Sequence, residues 1–245
     1  MDTATITLSG ASTDVGKLNT NAFAGSFTLG STWTTARLGV RVAFDADPGT
    51  SITACKFFFG FGSGIGANQL YGAVSPVAQS LVGLDVNSLT FGRGAANVIN
   101  APSAGFTHAR IVNGTRTGGT AASGTTTTFA AQASPAGSVL IFELNKAAST
   151  YVLQSVCRDT GNTTAPTAIT TAQLKTAMQQ PLMTDVDTYL STLDAGYARV
   201  QDATGIVNGA TYQATNGYFN AVHVAWNKSS PLLIVDDILL TIVTP

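Results

Sequence analysis

Apolar side chains recur at every second position through much of this chain, which predicts strands. Across Thr35–Phe44, Leu38, Val40, Val42 and Phe44 share one face of an extended segment, and Arg37, Gly39, Arg41 and Ala43 share the other. Asp45-Ala46-Asp47-Pro48-Gly49 then has the composition of a turn, and residues 52–61 return with Phe57, Phe59 and Phe61 in register. The two segments are expected to form an antiparallel hairpin at the centre of a sheet. Before them, Ile6 and Leu8 face away from Thr5 and Thr7, and Phe23, Phe27 and Leu29 follow at strand spacing, as short edge strands would. Further strands are predicted at 80–86, at 107–112 and, past the turn-forming Asn113-Gly114, at 115–117. Residues 138–145 and 151–158 read as another hairpin.

The period changes once. Residues 171–181 carry a threonine cap, good helix formers, Leu174 and Met178 four apart, and a terminal Pro181, which together predict a helix. Residues 182–193 fit two templates: Leu182, Val186, Leu190 and Leu193 suit a helix, while Val186, Thr188, Leu190 and Thr192 could alternate in a strand. Asn208-Gly209 and Asn216-Gly217 mark turns. A closing hairpin is expected from 218–226 and the very apolar 232–243, joined through Asn227-Lys228-Ser229-Ser230-Pro231. No repeat and no linker divides the chain, so residues 1–245 are expected to be one all-β sandwich domain with one or two short helices.

Composition narrows the function more than the fold. Charged residues are 10% of the 245, against roughly 25% in an ordinary soluble domain, and Glu143 is the only glutamate. A net charge of -1 gives no electrostatic footprint for nucleic acid. It also leaves little repulsion between copies, which favours burial of surface in an oligomer. No apolar stretch reaches membrane-spanning length, and Met1-Asp2-Thr3-Ala4-Thr5 has neither the basic start nor the apolar run of a secretory signal. A chain of this kind working outside a cell would leave by lysis or specialised export, or would already have been processed.

The candidate chemistry is sparse. Cys55 and Cys157 fit no metal spacing and read as buried thiols. Asp236-Asp237 is the tightest acidic pair, but neighbouring strand residues face opposite ways, so it reads as structural and not as a glycosidase pair. Asp45 and Asp47 read as turn caps, with a loose calcium site as the alternative, and Asp185 and Asp187 as solvated residues near a helix start. His108 and His223 have no ligand-like neighbours, and no serine or cysteine has a nucleophile context. The glycines at 60, 62, 64 and 66 lack the Lys-Ser/Thr of a phosphate loop, and the Thr/Gly/Ala/Ser tract at 117–128 reads as a loop. Catalytic residues, metal and cofactor are therefore all predicted to be absent. Trp33, Tyr71, Tyr212 and Tyr218, in turn-rich segments, are the candidates for stacking on sugar rings.

Gly217 to Trp226 followed by Pro231 to Thr241, with its apolar-Asp-Asp-apolar run through Asp236 and Asp237, resembles the last two strands of concanavalin A-like, laminin-G-like jelly rolls. The segment from Arg37 to Phe61 is similar in style. The resemblance implies two curved antiparallel sheets in jelly-roll connection, a scaffold of lectins, glycan hydrolases, adhesins and virus-particle proteins. The hydrolases' Glu-x-Asp-x-x-Glu strand needs two glutamates, and the lectins' metal site needs clustered acids beside a histidine, so neither set of residues carries over. The expectation is a non-enzymatic structural or adhesion subunit of a repeated assembly, a virus (phage) particle above all, with other particle subunits as partners and a homo-oligomeric state. The alternative is a carbohydrate-binding module.

Overall fold

The structure is a computed structural model that describes residues 2–3, 7–9, 17–18, 22–26, 34–44, 52–62, 80–93, 98–100, 107–112, 115–118, 128–130, 138–147, 150–158, 167–201, 221–226 and 233–243. These residues are mostly strands, paired antiparallel throughout, with two helices. One sheet contains β1 (Asp2–Thr3), β3 (Lys17–Leu18), β5 (Thr35–Phe44), β12 (Ser138–Ala147), β13 (Thr150–Arg158), β14 (Tyr197–Gln201) and β16 (Leu233–Val243). Its order is β1-β16-β5-β12-β13-β14, with β3 also on β16. The other contains β2 (Thr7–Ser9), β4 (Ala22–Ser26), β6 (Ile52–Gly62), β7 (Ser80–Arg93), β8 (Val98–Asn100), β9 (Thr107–Val112), β10 (Thr115–Gly118), β11 (Thr128–Ala130) and β15 (Ala221–Trp226). It runs β10-β9-β7-β6-β15-β4-β2, with β8 and β11 continuing from β7.

The alternation in β5 separates two buried environments. Ala36, Leu38 and Val40 lie in register with Leu144, Phe142 and Leu140 of β12, all 0% exposed. The Phe142 ring meets Phe61 of β6, with centroids 5.8 Å apart and planes tilted by 45°. Around it Phe59, Phe61, Val222 and Val224 are fully buried on the second sheet. Burying side chains of this size stabilises by roughly 1.5–3 kcal/mol each.

The opposite face of β5 and β12 carries the helices α1 (Thr171–Met178) and α2 (Met183–Leu193). Thr170 caps α1: its Oγ1 accepts from Gln173 N at 3.2 Å, and Gln173 Oε1 accepts from Thr170 N at 2.8 Å, a complete capping box. Leu174, Ala177 and Met178 of α1, with Met183, Val186 and Leu190 of α2, pack onto Val139, Ile141, Val156, Ile169 and Tyr197. Gly39 permits this contact. A Cβ there would lie 2.6 Å from Met178 Sδ and 3.2 Å from Leu174 Cδ1, so any side chain would force Met178 and Leu174 out of their present positions.

Several expectations hold. β12 and β13 pair as the predicted hairpin, β9 and β10 pair across Asn113-Gly114, and the ambiguous segment 182–193 is helical. β2 is an edge strand as expected around Ile6 and Leu8, whereas the second expected edge strand, at Phe23 to Leu29, is β4, which lies inside its sheet between β15 and β2.

Two hairpins are corrected. β5 pairs with β12 and β16 while β6 pairs with β7 and β15, so the early segments stand in different sheets. β15 and β16 are separated in the same way. The turn residues Asp45 to Gly49 and Asn227 to Pro231 lie outside the described residues, and on either side of them the strands stand in different sheets, each between two neighbours of its own. The solvated reading of Asp185 and Asp187 is corrected as well. Both are half-buried near the start of α2, where Asp185 accepts from Leu182 N at 3.2 Å.

Candidate functional site

Three of the arginines on the helix-bearing face of the first sheet, Arg37, Arg41 and Arg158, are each paired with a carboxylate. Arg37 of β5 and Glu143 of β12 are direct cross-strand partners, both 4% exposed. Nε and Nη2 of Arg37 donate to Glu143 Oε2 at 3.0 and 2.5 Å. Its Nη1 donates to the carbonyls of Met178 and Gln180 at 3.1 and 2.7 Å. The guanidinium thus closes the C-terminus of α1, where the helix dipole favours a cation. Beside it, Gln154 Nε2 donates to Glu143 Oε1 at 3.4 Å, and Arg199 Nη1 donates to Gln154 Oε1 at 2.8 Å.

Arg41 and Asp237 form the second pair, 3.0 Å apart. Asp237 Oδ2 also accepts from Thr171 Oγ1 at 2.8 Å, which ties β16 to the first turn of α1. The structural reading therefore holds for Asp237, and the register shifts between Val235 and Asp237, as at a bulge.

Arg158 and Asp194 form the third, 2.8 Å apart, with the arginine fully buried. Asp194 ends α2, and it also accepts from Thr167 N at 2.9 Å and Gly196 N at 2.8 Å. Burial alone would raise its carboxyl, but these hydrogen bonds and the Arg158 charge outweigh burial and hold it below the ordinary 3.8. Gly196 admits the cluster, since a Cβ would lie 3.0 Å from both Arg158 Nε and Asp194 Oδ1. Nearby, the buried Tyr197 hydroxyl accepts from Val139 N at 2.9 Å, two residues before the β12–β13 ladder begins at Ile141, and burial pushes its pKa well up. Burial likewise raises the Asp187 carboxyl, opposed in part by Arg199 and Ser191.

The first of these networks floors a cleft of about 450 Å³. Two rows of the sheet make the floor. Thr241, Arg37, Glu143 and Gln154 are successive cross-strand partners, and Val243, Thr35 and Asn145 form the next row on the same face. Asn145 Nδ2 donates to Thr35 Oγ1 at 3.2 Å. The wall is the connection between the helices and the start of α2: Pro181, Leu182, Met183 and Thr184. Leu182 stands 62% exposed at the rim, the exposed large hydrophobic among the described residues.

This cleft is the candidate site, and the sequence did not point to it. Trp33, Tyr71, Tyr212 and Tyr218 lie outside the described residues, as do Asp45 and Asp47. His108 and His223 lie in β9 and β15 of the other sheet, and Cys157 is a buried thiol in β13. Among the described residues no three His, Cys, Asp or Glu gather as a metal site would require, and no helix is long and apolar enough to cross a membrane. The scarcity of glutamate was the one usable signal, because a lone glutamate in a strand opposite a strand arginine invites a buried pair. Compared with protein-family models and with curated proteins, the chain matches none.

The pair at the cleft floor should behave as a buried one. Glu143→Ala strands the Arg37 charge and is expected to lower unfolding free energy in urea by about 3–5 kcal/mol, whereas Arg37→Met with Glu143→Leu should recover most of the loss. A loss below about 1 kcal/mol for the single substitution would mark the pair as solvent-screened.

Asp194 generates an acid-dependent term. Its folded carboxyl binds a proton more weakly than the unfolded one, so its stabilisation is present above 3.8 and is lost as pH falls below that value. Asp194→Asn should be less stable at neutral pH and should show a shallower decline in melting temperature between about pH 4 and pH 2. An unchanged acid profile would remove Asp194 from this role.

Proposed function

We propose that the chain is a non-enzymatic structural or adhesion subunit of a repeated assembly, of the kind from which a virus (phage) particle is built. In this reading the two antiparallel sheets stack as a single jelly-roll sandwich similar to concanavalin A-like domains. The Phe61–Phe142 contact and the crossings of the chain between sheets support that stacking. The observation that carries the functional reading is where this charge-poor chain puts its charges. Glu143, Asp194 and Asp237 each hold an arginine against a helix end or helix-flanking backbone. Carboxylates engaged in this way rigidify a scaffold, and they are poorly placed to move protons to and from a substrate. A neutral exterior suits contact with further copies and other particle subunits, in a particle or on an external surface, without nucleic acid or cofactor.

Size-exclusion chromatography with light scattering tests the reading. Purified chain should give a discrete multiple of 25.1 kDa that negative-stain microscopy resolves as a symmetric ring or lattice fragment. A 25.1 kDa monomer that persists at every concentration would contradict it.

A further inference from the structure

We infer that the cleft beneath the helix connection binds a small neutral polyhydroxyl ligand, one or two sugar rings in size, by hydrogen bonds from Asn145, Gln154, Thr35 and Thr241 and by apolar contact with Pro181 and Leu182.

Volume and shape come first. About 450 Å³ falls within the roughly 300–1,000 Å³ of small-ligand clefts. The row from Thr241 to Gln154 crosses four strands, so the floor is about 14 Å long at strand spacing and two rows wide. That is a trough for a short, flat molecule.

Charge selects against ions. Arg37 and Glu143 cancel at the centre of the floor, and the guanidinium is already engaged by the carboxylate and two carbonyls. A phosphate or carboxylate ligand would have to compete with Glu143 for it, and a cation would have to compete with Arg37. A neutral ligand disturbs neither.

Hydrogen-bonding capacity then names the chemistry. Beyond the bonds already described, Asn145 keeps its amide carbonyl, Gln154 a second amide N–H, and Thr35 and Thr241 their hydroxyl protons. Donors and acceptors thus alternate along the floor at short intervals, and adjacent hydroxyls on a ring both donate and accept. Glu143 and Arg199 hold the Gln154 amide from either side, so its orientation is set before a ligand arrives. Pro181 and Leu182 of the wall, with Val243 at the end of the floor, offer an apolar surface to the C–H face of a ring.

An extended peptide fits less well. The cleft lies over β16, β5, β12 and β13, each of which has partners on both sides, so among the described lining residues no strand edge opens for a peptide to pair with. This inference is independent of the assembly state and uses none of the aromatic candidates.

The test uses the full chain with a panel of neutral sugars: glucose, galactose, mannose, N-acetylglucosamine, maltose, cellobiose and lactose. Saturation-transfer NMR detects binding and calorimetry gives the affinity, with a neutral Ala/Gln/Asn hexapeptide as the second arm. At least one sugar should bind. Asn145→Ala and, at the exposed mouth, Thr184→Trp should each weaken it about tenfold or more with melting temperature unchanged, while Trp33→Ala and Tyr218→Ala leave it intact. Silence across the panel, binding that survives Thr184→Trp, loss on changing Trp33 or Tyr218, or binding of the hexapeptide alone would overturn the inference.

Discussion

The Arg37–Glu143 pair joins three layers at one point. Its two members are cross-strand partners, so the pair stiffens β5 against β12, and the remaining guanidinium protons hold the last carbonyls of α1. At 4% exposure neither group can be left alone, because an unpartnered buried ion costs several kcal/mol after relaxation. The pair is therefore better understood as a constraint on geometry than as a source of stability: a fold that moved α1 by a few ångströms would leave a buried charge without its partners.

The other two pairs repeat this logic at two further helix ends. Asp237 reaches Arg41 and Thr171 at the start of α1, and Arg158 reaches Asp194 at the end of α2. Between these polar anchors the contact is mainly apolar, with Leu174 and Met178 over Gly39 and with Val186 and Leu190 in the same buried cluster. Apolar burial supplies most of the attraction but little direction. The ion pairs supply direction, and they set the helix connection over Thr35, Asn145 and Gln154 so that a cleft remains there.

Much of this was readable from the chain. Alternation in Thr35–Phe44, the Asn113-Gly114 turn and the hairpin of β12 and β13 depend on local spacing, and local spacing is what a sequence displays. The capping box at Thr170 and Gln173 is local too. The partner of a strand is not. Asp45 to Gly49 and Asn227 to Pro231 announce reversals without saying which sheet receives the returning strand, and this is why β5–β6 and β15–β16 were paired wrongly.

The candidate site was hidden for the same reason. Its floor takes Thr35-x-Arg37, Glu143-x-Asn145, Thr241-x-Val243 and Gln154 from four strands that are neighbours only in the order β16-β5-β12-β13. Period two in β5 shows two faces, but it does not show that helices more than 120 residues away cover the one bearing Arg37 and Arg41.

If the helices are clasped to the sheet and do not merely rest on it, they open with it. Hydrogen–deuterium exchange on the full chain, comparing amides of residues 186–193 in α2 with those of residues 139–144 in β12, reads this property. The two sets should share one free energy of opening and lose protection together as urea is raised. Exchange in α2 faster than in β12 by several orders of magnitude, at a urea-independent rate, would show that the clasp does not hold.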